Sequence, residues 1–256
     1  MSHIEAPDRY QALTDGLDEL LHDRIVGATP IEVLSDRDND KPLELVEEPD
    51  GQHFVRRSFS PKAVTYIERH GLPFTTAWHA LQATFNSVGI ETVPSVLIPS
   101  KGEYPYLVAS DYMADLQPMT AAPTEVKKET AFKLGKVLEL DQGFLAIPEM
   151  LQDGLIQVTQ TETGEVKPVV VDVDPLMAVS SYLDKPNMDA LYIHTLGDLV
   201  AAWCTDPEER VIVVGALQDS IVDFAVENPR TSTLYAQLAF AKLNTLKHGL
   251  SQPLND

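Results

Sequence analysis

Cysteine is nearly absent. Cys204 is the only one in 256 residues, so no disulfide can form within the chain and no cysteine-rich zinc site can be assembled. It ends the apolar helical stretch Leu199-Val200-Ala201-Ala202-Trp203-Cys204, where a buried, inert thiol is expected. Positive charge is scarce too: 19 Lys and Arg against 39 Asp and Glu give a net charge of −20. Such a surface repels nucleic acid and anionic lipid, because binding a polyanion requires cations that neutralise its phosphates. An electropositive partner, a high-salt cytoplasm or plain solubility would each suit that balance.

Other signals are missing. No apolar run approaches the ~18 residues that a spanning helix needs. No basic segment followed by an apolar core marks the N-terminus, so a cytoplasmic location is expected. Gly-x-Gly-x-x-Gly, the Walker A pattern and Gly-x-Ser-x-Gly are all absent, which removes the sequence basis for a dinucleotide site, a P-loop or a nucleophile elbow. The His residues are scattered, with no i, i+4 pair beside a Glu to suggest a zincin-like site. Arg56-Arg57 and Lys127-Lys128 are the only adjacent basic pairs, and the second is expected on a solvated helix face.

What is present is an ordered series of elements. Tyr10, Leu13, Leu17, Leu20, Leu21 and Ile25 recur at helical spacing over 10–26. Three β-type runs follow, 31–34, 43–47 and 52–59, the first two joined by an acidic turn. Ser60 before Pro61 is a helix N-cap followed by proline at the first helical position. The helix should pause at Gly71-Leu72-Pro73, resume with Trp78, Leu81, Phe85 and Val88 on one stripe, and end at Gly89. Strands are expected at 95–98 and 106–110. Residues 114–123, with Pro118 and Pro123, are the linker candidate.

Beyond it, 124–140 should form a helix with Thr124 as N-cap and Phe132, Leu134 and Leu138 toward the core. An irregular segment leads to a hairpin, 155–159 with 169–173, turning at Glu162-Thr163-Gly164-Glu165. Everything after Pro175 reads as helix: 176–183, 191–204, about 208–226 and 231–248. Val211-Ile212-Val213-Val214 would pass for a strand locally, but the flanking period is helical.

The hairpin ends in Val169-Val170-Val171-Asp172-Val173-Asp174-Pro175, an apolar strand closing on two aspartates. Period-two alternation puts Asp172 and Asp174 on one face, where one could hold a divalent cation and the other orient it. A strand that simply stops at a solvated Asp-Pro turn reads the same way.

Three strands, a helix, two strands, a linker, a helix, a loop, a hairpin ending in acids and a set of helices is an order that resembles the protein-kinase-like fold, especially its antibiotic- and choline-phosphorylating branches. The resemblance spans roughly residues 30–250. It implies an α+β, two-lobed architecture: an N-terminal helix and small antiparallel β-sheet lobe over 1–113, a hinge over 114–123, and a mainly helical larger lobe with a β-hairpin over 124–256. It implies that 54–59 stands where a phosphate-pairing Lys is normally carried, with Arg56 and Arg57 as the basic residues available, and that an adenine ring would lie against Ser110, Asp111 and Tyr112. Residues 141–155 would stand for the catalytic loop, with Glu149 in the place of the catalytic Asp and Asp153 beside the place of the metal-binding Asn. Asp172 or Asp174 would hold Mg²⁺ or Mn²⁺ with ATP.

Several parts of that chemistry are missing. The connection over 35–42 contains no Gly and carries three Asp, which repel phosphate instead of cradling it. Arg56 and Arg57 face opposite sides of the sheet, and a guanidinium does not replace a compact ammonium. Glu68, Gln82 and Glu91 are the candidates for a partner on the following helix. Three readings result: a degenerate kinase-like domain that binds a nucleotide, small molecule or protein; a divergent metal-dependent phosphotransferase acting on a small molecule; and an acidic, non-enzymatic protein that binds a basic partner.

Overall fold

The computed structural model describes residues 28–35, 42–47, 51–69, 73–100, 102–137, 155–161, 163–171, 193, 196–227 and 234–248. The expected helices at 10–26 and 176–183 lie outside the described residues, as do Asp36–Lys41, Leu138 and the loop over 141–154. The fold is α+β, and the chain divides into two compact units, Met1–Arg69 with Val93–Ala114, and His70–Thr92 with Asp115–Asp256.

The first unit is built on a five-stranded sheet of β1 (Pro30–Ser35), β2 (Leu43–Glu47), β3 (His53–Phe59), β5 (Ser95–Pro99) and β6 (Tyr106–Asp111). Its order is β1-β2-β3-β6-β5 and every pairing is antiparallel. Alternation sorts the side chains. Val46, Phe54, Val96, Ile98, Leu107 and Ala109 form the hydrophobic cluster on one face. Register places Arg56 opposite Ala109 on that same face, and Arg57 opposite Leu43 and Val108 on the other. After β3 the chain enters α1 (Pro61–Arg69), where Ser60 Oγ accepts the Ala63 N–H at 3.1 Å, the cap that the Ser-Pro pair encodes.

The second unit opens with α2 (Phe74–Ser87), whose Trp78 and Phe85 are buried. Gly89 stops it at φ +76, donating to Asn86 O at 3.0 Å, while Ile90 N–H reaches back to Phe85 O at 3.0 Å. This paired closure needs a left-handed residue, which glycine adopts without steric cost. Next comes β4 (Glu91–Thr92), an edge of a second sheet that continues through Val166–Val170 and Ile156–Gln160 to Gln117–Pro118. Residues 114–123 contain β7 (Gln117–Pro118) and a 3₁₀ turn, Met119–Ala121, with Met119 buried. The hairpin is β8 (Ile156–Gln160) and β9 (Val166–Val170), turned at Gly164 with φ +83. Pro168 lies just outside the two β9 residues that β4 pairs with, so its missing N–H breaks no bond there.

Helix α3 (Thr124–Lys136) packs on α4 (Pro207–Glu227), and α5 (Leu234–Lys247) follows; residues 196–202 are also helical. Asp206 caps α4, its Oδ1 accepting the N–H groups of Glu208 at 2.6 Å and Glu209 at 3.3 Å. Val211 and Ile212 are exposed while Val213 and Val214 are fully buried, a helical division that alternation could not give. The α3–α4 contact is close at Gly135, where an added Cβ would come within 2.4 Å of Ser220 Oγ.

Three expectations about α3 are corrected. Thr124 is the first helical residue and not its cap; its hydroxyl donates to Glu209 Oε1 at 3.0 Å. Phe132 is exposed, with Lys136 Nζ 5.4 Å from its ring centre. Lys127 is no solvated charge: it is only 2% exposed and pairs with Glu209 at 2.9 Å.

Candidate functional site

Of the residues singled out from the sequence, Glu149, Asp153, Asp172 and Asp174 lie outside the described residues, and Arg56, Arg57, Asp111 and Tyr112 lie within them. The last four belong to β3, β6 and the residue that follows. Phe54 pairs with Asp111 and Arg56 with Ala109, so Arg56 and Asp111 share a face two positions apart. Asp111 is half-buried and its N–H donates to Pro94 O at 3.0 Å. Tyr112 is 45% exposed, its ring tilted at 59° to that of His53 with centroids 6.1 Å apart. Ser110 stands on the opposite face with Val55 and Ser95.

Arg56 is held on three sides. Its Nε and Nη2 donate to Glu44 Oε2 at 3.0 and 2.8 Å, and Nη1 donates to Ala28 O at 3.0 Å. The residue is buried, and the two side chains keep 10% and 18% of their exposure. Glu44 sits directly opposite Arg56 in the β2–β3 register, so the ladder itself delivers the carboxylate. Of the candidates expected on the following helix, Glu68 is exposed on α1, Gln82 lies on α2, and Glu91 belongs to β4. Glu44 is the residue that sequence reasoning missed.

The strand leading to the two aspartates is well anchored. Val170 is fully buried, and Val171 N–H donates to Leu155 O at 3.0 Å, one residue short of Asp172. Beside it an open hollow of about 250 Å³ is bordered by Gly89, Glu91, Glu129, Lys133, Glu165 and Lys167. Its cations are matched: Lys133 pairs with Glu129 at 2.7 Å and donates to Gly89 O at 3.0 Å, and Lys167 lies 3.7 Å from Glu165. Among the described residues no group of three His, Cys, Asp or Glu side chains is placed to hold a metal ion.

Cys204 is buried and its thiol donates to Val200 O at 3.5 Å. Burial first, then the nearby Glu209 charge, push the thiol up to about 11, against the smaller pull of Lys127 and Arg210. A thiol held protonated is a poor nucleophile. No helix among the described residues is long and apolar enough to cross a membrane.

No family model matches the chain, and no curated protein matches it. Solved structures similar to it include the Rio2 kinase of Chaetomium thermophilum in an ADP/Mg²⁺ phosphoaspartate complex, at 13% identity over 90% of this chain and 75% of that one, TM-score 0.43. The maize SIRK1 kinase domain bound to AMP-PNP is similar at 11% identity over 88% and 95%, TM-score 0.44. The pseudokinase DRIK1 bound to ENMD-2076 is similar at 10% identity over 90% and 95%, TM-score 0.42. Likeness at this level assigns neither activity nor ligand.

Proposed function

We propose that this chain is a degenerate kinase-like domain that works by binding a ligand or a protein partner and not by ATP-dependent phosphoryl transfer. The order of elements supports the kinase-like part, with three strands, helices and two further strands supplying one antiparallel sheet. The observation that carries the loss of transfer is the Arg56–Glu44 pair. At the position where a phosphate-pairing cation would stand, the guanidinium already has a carboxylate and a carbonyl. Three of its five N–H groups are engaged there, and the carboxylate comes from the adjacent strand, whereas a phosphate-pairing cation on this strand takes its carboxylate from the following helix. The glycine-free, acidic connection over 35–42 works in the same direction.

A divergent metal-dependent phosphotransferase is the second reading. The anchoring of β9 through Val171 favours it, because a fixed strand end is what Asp172 and Asp174 would need to hold Mg²⁺ or Mn²⁺. Calorimetry with ATP and either metal, on wild type and on Asp172→Ala and Asp174→Ala, separates the two. The binding reading expects no transfer of radiolabelled γ-phosphate. Transfer that is lost in Glu149→Gln and in the Asp variants would overturn it.

A further inference from the structure

The hollow of about 250 Å³ beside β9 is walled by segments of the second unit alone: Gly89 and Glu91 after α2, one face of α3, and the residues from Glu165 to Pro168. Its charged groups are unevenly satisfied. Lys133 spends two of its three N–H groups, on Glu129 at 2.7 Å and Gly89 O at 3.0 Å, and the Thr130 hydroxyl donates to Val126 O at 2.7 Å. Lys167 differs. At 3.7 Å from Glu165 it feels the charge but makes no hydrogen bond, so its ammonium donors are uncommitted among the described residues. The exposed Glu91 carboxylate likewise has no hydrogen-bond or ion-pair partner among them.

An acceptor and a donor therefore border one hollow without meeting. Parallel pairing of Glu91 with Val169 puts Lys167, two residues earlier in β9, on the Glu91 face of the sheet. One strand across and two residues along is about 8 Å at the backbone. We propose that the hollow binds a small ω-amino carboxylate, with its ammonium on Glu91, its carboxylate on Lys167 and its methylene chain against Val126 and Val166. Charge and spacing exclude the alternatives. Three carboxylates against two ammonium groups repel a free anion or a nucleotide. A metal ion needs converging ligands, and among the described residues no three His, Cys, Asp or Glu side chains are placed to supply them. A plain amine would satisfy Glu91 but leave Lys167 as it is, and an α-amino acid carries both charges on one carbon and falls short of the span. The site uses no residue of β3 or β6, so its failure leaves the reading of Arg56 and Glu44 where it stands, and the converse also holds.

Calorimetry on the full chain tests this with 5-aminopentanoate as the probe, against pentylamine and pentanoate, which each lack one charged group, and norvaline, an isomer with both on one carbon. One saturable site that weakens with salt is expected, with each of the three analogues at least about tenfold weaker. Glu91→Gln and Lys167→Gln should each lower probe affinity about tenfold, while Glu103→Gln, an exposed charge on the first unit, leaves it unchanged. Neither Glu91 nor Lys167 has a side-chain hydrogen bond among the described residues, so both variants should keep the fold, which circular dichroism checks. Pentylamine binding as tightly as the probe would reduce the effect to the attraction of a cation to a chain of net charge −20 and would overturn the proposal. Equal affinity for norvaline, equal affinity in Glu91→Gln and wild type, an equal loss in Glu103→Gln, or no saturable binding would each do the same.

Discussion

Replacing Glu44 by Gln should destabilise the first unit through Arg56 and not through any loss of apolar packing. The carboxylate accepts two guanidinium N–H groups at 3.0 and 2.8 Å, and the amide would offer one neutral oxygen in their place. Removing one member of a fully buried pair costs about 3–5 kcal/mol, and an exposed pair contributes at most about 1 kcal/mol. With side-chain exposures of 10% and 18%, the Arg56–Glu44 pair lies nearer the buried limit. The bond to Ala28 O survives the change and retains part of the interaction. The expected loss is therefore about 2–3 kcal/mol, corresponding to a Tm lower by about 4–12 °C for a chain of this length. Urea unfolding of wild type, Glu44→Gln, Arg56→Met and the double variant Glu44→Leu/Arg56→Met closes a cycle. The double variant should be more stable than either single one, because it leaves no charge unpaired. A Glu44→Gln midpoint equal to wild type would refute the argument, and so would an Arg56→Met variant that keeps full stability but loses ATP binding.

The Lys127–Glu209 pair makes a parallel case: Glu209→Ala leaves a buried ammonium and the Thr124 hydroxyl without their acceptor and should cost about 3–5 kcal/mol by thermal denaturation, whereas Lys127→Met/Glu209→Leu should recover most of it. Gly135→Ala drives a methyl group into Ser220 Oγ and should cost about 1–3 kcal/mol in urea unfolding, with partial rescue by Ser220→Gly. Cys204 should resist thiol reagents at pH 8 until the chain unfolds. Its folded value of about 11 exceeds the ordinary 9.0, so the folded state holds the proton longer. The resulting stability is fully present below pH 9 and is lost as pH rises toward 11, which a Cys204→Ala comparison of unfolding free energies would isolate.

Much of this architecture was legible because its signals are local. Six of the seven β-type runs appear as strands within a residue or two, with β9 at 166–170 and not 169–173; Ser60-Pro61 caps α1, Gly89 ends α2, and the helical period around 211–214 overrides that β-branched run. Side-chain partners across the fold were less legible. Lys127 was misread from its adjacency to Lys128, yet it shares a helical stripe with Ala131 and Leu134, both buried, at i, i+4 and i+7. Its acceptor Glu209 lies 82 residues away, beyond any local pattern. Phe132 failed for the opposite reason, since its apolar type suggested burial while its angular position did not. Glu44 could have been found: carrying the β2–β3 register back from the Asp50-Gly51 turn places it opposite Arg56.

That register also bears on why the acidic surplus and the candidate site belong to one argument. The resolved ion pairs Arg56–Glu44, Lys127–Glu209, Lys128–Glu125, Lys133–Glu129 and Lys242–Asp198 each neutralise one scarce cation with one abundant anion. Every such pair leaves the 20-charge imbalance as it was, so an arriving nucleotide meets both a general repulsion and an Arg56 that already has a carboxylate acceptor. Glu44→Gln frees two guanidinium N–H groups of Arg56 and is expected to raise ATP affinity in the presence of Mg²⁺, read by calorimetry. If ATP with Mg²⁺ binds wild type and Glu44→Gln equally, Arg56 has no part in nucleotide recognition. Stronger binding in the variant alone would show that Glu44 is what silences it.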